Sequence, residues 1–144
     1  FYPFDFTGCY HRESFLEVGG FDNSFKNPFW QLLDFGARLL MFGKTIRLNP
    51  YFLVHYDTEI EPHRECFDSD YLLFVLKNQF VKKKKDRFYI PYFSIIRYFV
   101  RSSGRDWGQI ITECRCALKM VEEYQSMYKM TLAEGVAAWG SVPK

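Results

Sequence analysis

Cysteine is scarce in this chain and badly spaced for chemistry. There are four, at positions 9, 66, 114 and 116, and none forms a Cys-x-x-Cys pair. Cys114 and Cys116 lie two residues apart on a predicted helix, too close to bridge easily. The expectation is a reduced, cytosolic setting with free thiols and no zinc site. Long apolar runs are also missing: nothing approaches the ~18–20 residues that cross a bilayer. The opening stretch FYPFDFTGCYHRE has neither a basic lead nor an apolar signal core, which argues against a secretory signal. It also lacks an initiating Met, so further sequence upstream is expected. No internal repeat is visible, which excludes solenoids and propellers.

Aromatic residues are abundant. They make up 20% of the 144 residues within a hydrophobic total of 48%, a globular composition and not a disordered one. The net charge of +2 conceals an uneven distribution. Residues 1–81 carry seven Lys/Arg against eleven Asp/Glu, whereas residues 82–105 carry eight Lys/Arg against one Asp. An acidic front is thus followed by a basic belt, a pattern that bears on partners.

Along the chain, FDFTGCY (4–10) reads as a short strand and RESFLEV (12–18) as a short helix with Phe15, Leu16 and Val18 on its apolar side. Gly19 stands where a left-handed C-cap belongs. DNSFKNP (22–28) is turn chemistry. WQLLDFGARLLMF (30–42) predicts a helix that is apolar nearly all round, and Gly43 ends it. Its polar side chains, Gln31, Asp34 and Arg38, fall on one face. Such a stripe needs solvent, a cleft or a ligand opposite it. Asp34 and Arg38 are also spaced to pair with each other.

TIRLN (45–49) and YFLVHY (51–56) read as strands broken at Pro50, followed by an acidic loop and a helix over 68–80. KKKKDR (82–87) reads as a charged linker. Three helical pieces follow: one after Pro91, a long one from Asp106 with Trp107, Ile111, Cys114, Leu118 and Val121 as its apolar positions, and TLAEGVAAW near the end.

Taken together, GCYHRESFLEVGGFD (8–22), LLDFGARLLMFGK (32–44) and LNPYFLVHY (48–56) resemble the acceptor-side, C-terminal half of a family 2 glycosyltransferase of the inverting GT-A type. The resemblance spans roughly residues 4–80. It implies an α/β fold: a partial GT-A half-domain (nucleotide-diphospho-sugar transferase-like) over 1–81, whose first strands lie upstream. Residues 82–144 would be a basic linker and helical appendage. The implied activity is transfer of a sugar, with inversion, from a nucleotide-sugar donor to a hydroxyl on a glycan or lipid-linked acceptor, as in polysaccharide biosynthesis. The alternative is a non-catalytic membrane- or partner-binding module on a degenerate scaffold.

The resemblance also implies roles. Gly19, Gly20, Phe21 and Asp22 would line the acceptor wall with Arg38, although a helix cap followed by an Asx turn explains the same residues without a ligand. His55 would ligate a divalent metal, Mg or Mn, in the complete protein. His63 and Arg64 would belong to a loop over the donor. The family's acidic doublet, whose Asp is the general base, falls on Gln31 and Leu32, and leucine accepts no proton. Either Asp34 takes that role, or the alignment shifts by a few loop residues, or the protein is not an ordinary transferase. The family's Asp-x-Asp metal motif is absent from the front strands. "DSD" at 68–70 reads instead as a helix start.

The basic, aromatic stretch 82–101 permits a solvated linker with a packed helix, an interfacial helix on anionic lipid, or a nucleic-acid surface. The acidic front weighs against nucleic acid, and none is expected. The expected location is cytoplasmic, peripheral at the inner face of the membrane. A coiled-coil dimer through the long helix stays open.

Overall fold

The structure is a computed structural model that describes residues 9–47, 51 and 69–140. Six α-helices, one π-helical turn and one antiparallel hairpin make up the described residues. This corrects the α/β expectation: no GT-A-like sheet is present among them, and the only strands are β1 (Lys82–Lys84) and β2 (Arg87–Tyr89). Cys9 and Tyr10 are exposed and not in a strand, and residues 45–47 are irregular. A strand requires a partner for its backbone groups, and local β propensity does not provide one. Of the YFLVHY segment, Tyr51 is an exposed turn residue and 52–56 lie outside the described residues.

The front helices end as their sequences dictate. Helix α1 (Arg12–Glu17) is followed by Gly19 and Gly20, both at positive φ (83° and 65°). Gly19 N–H donates to Leu16 O at 3.0 Å and Gly20 N–H to Phe15 O at 2.8 Å, the two bonds of a Schellman cap. Helix α2 (Pro28–Met41) starts with Pro at its first position and with the Asn27 side chain accepting from Phe29 N–H. It closes with the same motif at Gly43 and Lys44, which donate to Leu40 O and Leu39 O. Helix α3 (Ser69–Phe74) continues into a π-helical turn, Val75–Gln79, whose Lys77 and Asn78 are both buried.

The lysine run is a hairpin and not a linker. Lys82 pairs with Tyr89 and Lys84 with Arg87, and Lys85 takes a left-handed φ of 55° in the turn. Burial of Phe88, Val81 and Ile90 ties it to the core, where the Phe88 and Tyr128 rings meet edge-on at 5.3 Å. Helix α4 (Tyr92–Arg101) leads to α5 (Trp107–Tyr124), N-capped by Asp106 accepting from Gln109 N–H at 2.7 Å. Helix α6 (Leu132–Gly140) opens with a capping box: Thr131 N–H donates to Glu134, and Glu134 N–H donates back to the Thr131 hydroxyl.

The predicted apolar face of α5 is displaced. Ile110, Cys114, Ala117 and Val121 are buried, while Trp107, Ile111 and Leu118 are exposed. One hydrophobic cluster joins α2, the π turn, the hairpin, α5 and α6, running from Val18 to Leu132. Cys9 and Cys116 are exposed free thiols. Cys114 is buried, and burial pushes its thiol up to about 11.

Candidate functional site

The Gly-Gly-Phe-Asp turn is held from three directions. Arg38 lies on the inward face of α2 with Asp34 one turn before it. Its Nε donates to Asp34 Oδ2 at 2.8 Å. The two terminal nitrogens donate to the carbonyls that bracket the glycines: Nη1 to Val18 O, and Nη2 to Gly20 O at 2.7 Å. Asp34 Oδ1 accepts from the Asn78 amide at 2.8 Å. The planar guanidinium fork suits this work because its donors spread in fixed directions.

The polar stripe of α2 therefore faces protein. Asp34 is 0% exposed and Arg38 3%. Both Asp34 oxygens are engaged, and no side of the carboxylate is open to a substrate hydroxyl. Burial raises the Asp34 pKa, while the Arg38 charge and the Asn78 amide pull it back.

Asp22 is held separately. Its Oδ2 pairs with Lys77 Nζ at 2.5 Å, and its Oδ1 accepts from Ser24 N–H at 2.9 Å, an Asx turn. Lys77 Nζ also donates to the Ser24 hydroxyl at 2.7 Å, and Gln31 donates to the Asp22 carbonyl at 3.0 Å. Consecutive residues of the π turn thus hold the two aspartates, Lys77 on Asp22 and Asn78 on Asp34. Further back, Asp70 accepts from the backbone N–H groups of Lys26 and Asn27 at 2.7 and 2.6 Å, fixing the entry to α2.

Burial pushes the Asp22 pKa upward. The Lys77 charge and the hydrogen bonds from Lys77 and Ser24 outweigh it and leave the carboxyl below its ordinary 3.8. A depressed acid stabilises the fold above its unfolded pKa, and that contribution is lost as pH falls through the folded value. Asp22→Asn is therefore expected to flatten the stability profile below about pH 4. Tm measured from pH 7 to pH 2 checks this, and a variant that keeps the parent's acid slope would assign that slope to other groups.

An aromatic group flanks the turn. Phe21 meets Phe15 and Phe35 at 5.1 Å each, and Tyr10 meets Phe35 at 5.1 Å and Phe21 at 6.3 Å. Phe35 is interior, whereas Phe21 and Tyr10 are 37% and 41% exposed. The result is a partly open aromatic edge adjoining a fixed carboxylate.

Of the residues the sequence singled out, Gly19, Gly20, Phe21, Asp22, Asp34 and Arg38 come together here. His55, His63 and Arg64 lie outside the described residues. Among the described residues no group of three or more His, Cys, Asp or Glu side chains converges where it could hold a metal ion. Sequence reasoning missed Lys77, Asn78 and the tether role of Asp70. The available signal was a Lys-Asn pair inside an otherwise apolar helical run.

No helix among the described residues is long and apolar enough to cross a membrane. Comparison with known proteins returns no match, whether to a family model, to a curated protein or to a solved structure.

Proposed function

We propose that this chain supplies the acceptor-side platform of an enzyme that transfers a sugar, with inversion, from a nucleotide-sugar to a hydroxyl of a glycan or lipid-linked acceptor. The observation that carries the reading is the Arg38 fork. It joins the Asp/Arg helix and the Gly-Gly-Phe-Asp turn, two of the three stretches that carry the resemblance, into one unit. Rigid placement of a substrate wall is what transfer between two bound molecules needs.

In this reading Phe21 and Tyr10 offer an apolar edge to a sugar ring, and Asp22 accepts a hydrogen bond from an acceptor hydroxyl. The hydroxyl oxygen bonds to the anomeric carbon as the bond to the nucleoside diphosphate breaks, and the hydroxyl proton passes to a general base. Asp34, with both oxygens committed, is a positioning residue that acts through Arg38. The proposed setting is cytoplasmic.

The test uses the native full-length polypeptide with a panel of nucleotide-sugars and hydroxyl acceptors, following release of nucleoside diphosphate. Acceptor-dependent release is expected. Asp22→Asn should raise the acceptor KM on the order of tenfold, equivalent to one lost charge-assisted hydrogen bond, while leaving the donor KM in place. Absence of release with every donor would overturn the reading.

A further inference from the structure

Helix α4 packs Ile95, Tyr98 and Phe99 against the core but leaves four further large side chains, Tyr92, Phe93, Ile96 and Val100, exposed. Polar contacts also anchor its inward face. The Tyr98 hydroxyl, on a side chain only 1% exposed, donates to Glu113 of α5, and Arg105 donates to the same carboxylate at 2.6 Å. This clamp fixes which way α4 faces. The outward face then consists of two neighbouring i, i+4 rows: Tyr92, Ile96 and Val100 in one, Phe93, Arg97 and Arg101 in the other.

These side chains are open to solvent. Phe93 is 82% exposed, Tyr92 73% and Val100 68%. At the start of α5, Trp107 extends the apolar area. It is 65% exposed and lies 5.9 Å from the Phe99 ring. An apolar patch of this kind, bordered by arginines, marks an interaction surface. Its charge narrows the partner. Residues 82–105 carry eight basic side chains against one acidic. A second copy seated on this face would bring like charges together, whereas an anionic surface would not.

We propose that α4 is an interfacial anchor that lies flat on an anionic phospholipid surface. Tyr92, Phe93, Ile96, Val100 and Trp107 enter the boundary between headgroups and acyl chains, and Arg97 and Arg101 reach the phosphates. Ten residues of helix cannot span a bilayer but are enough to lie along one. The anchor does not depend on the sugar-transfer reading, because vesicle binding requires neither donor nor acceptor and can succeed or fail independently.

The test is co-sedimentation of the full chain with phosphatidylcholine vesicles, with and without about one-third phosphatidylglycerol. Binding is expected only to the anionic vesicles, with a blue shift of emission that Trp107→Phe removes. Two paired variants, Phe93→Ser with Val100→Ser and Arg97→Gln with Arg101→Gln, change only outward-facing side chains. Circular dichroism should therefore match the parent. Each should lower the partition coefficient on the order of tenfold or more, and ~0.5 M salt should weaken binding by the parent. Failure to bind, equal binding to neutral vesicles, or unchanged binding by both variants would overturn the anchor. A dimer that Phe93→Ser with Val100→Ser dissolves would also overturn it, assigning the face to a second copy.

Discussion

Replacing Arg38 with Met is expected to cost about 3–5 kcal/mol of stability, the usual penalty for breaking a buried ion pair from one side. The size follows from what is left behind. Asp34 would keep its charge at 0% exposure with only the Asn78 amide for a partner, or would have to take up a proton in order to fold. The carbonyls of Val18 and Gly20 would lose donors in the same step, and both residues are buried. Urea unfolding followed by circular dichroism measures the loss. The double variant Asp34→Leu with Arg38→Met removes both charges and should recover part of it, because the uncompensated carboxylate goes with its partner. A loss below about 1 kcal/mol for Arg38→Met would show that the pair contributes no more than a surface pair does.

The second large effect is at Gly19. A Cβ at this position would stand 2.6 Å from the Tyr124 hydroxyl, and the backbone is at φ +83°. Two costs combine in Gly19→Ala. The left-handed conformation costs an L-residue about 1–2 kcal/mol, and displacing a packed tyrosine adds an overpacking cost on the order of 1 kcal/mol. They separate experimentally. In a Tyr124→Phe background the hydroxyl is gone, so the same substitution should keep the conformational cost and lose the steric one. Equal losses in the two backgrounds would mean that the end of α5 does not press on the turn. The contact also explains why the helical C-terminal part matters to the candidate site. Tyr124, the last residue of α5, brings its hydroxyl up to Gly19, between the two carbonyls that the Arg38 fork holds.

How far the site was legible can be judged from Asp34. Its spacing to Arg38 and their common face were plain from the sequence, and so was the possibility that they pair. The stripe's orientation was not legible. A polar stripe on an apolar helix has the same pattern whether it faces solvent, a ligand or other protein. Here the groups opposite are two backbone carbonyls and an amide 44 residues further along the chain. The candidate base thus became a tether once its neighbours were known. Lys77 and Asn78 escaped notice for the same reason, since a Lys-Asn pair in a helix is ordinarily solvated. The hairpin was hidden by composition: four lysines look like a linker, and the burial of Val81, Phe88 and Ile90, with Phe88 against Tyr128, gives the run a reason to fold back.

The α5 stripe shows the limit in its simplest form. A helix with apolar residues on several sides offers more than one face: of the alternation through Trp107, Ile111, Cys114, Leu118 and Val121, only Cys114 and Val121 are buried. The neighbours chose Ile110, Cys114, Ala117 and Val121. What the sequence by itself determined are events confined to one or two turns. These include the glycine closures of α1 and α2, the Asp106 start, the polar face of α2 and the uneven charge. Caps and turns act through atoms a few residues apart, so the residues that form them are adjacent in the chain. Tertiary structure alone decided which face of each helix is buried, whether extended segments find strand partners, and whether Asp34 meets a substrate or a guanidinium. Burial and pairing depend on the groups opposite, and in this chain those groups come from distant segments.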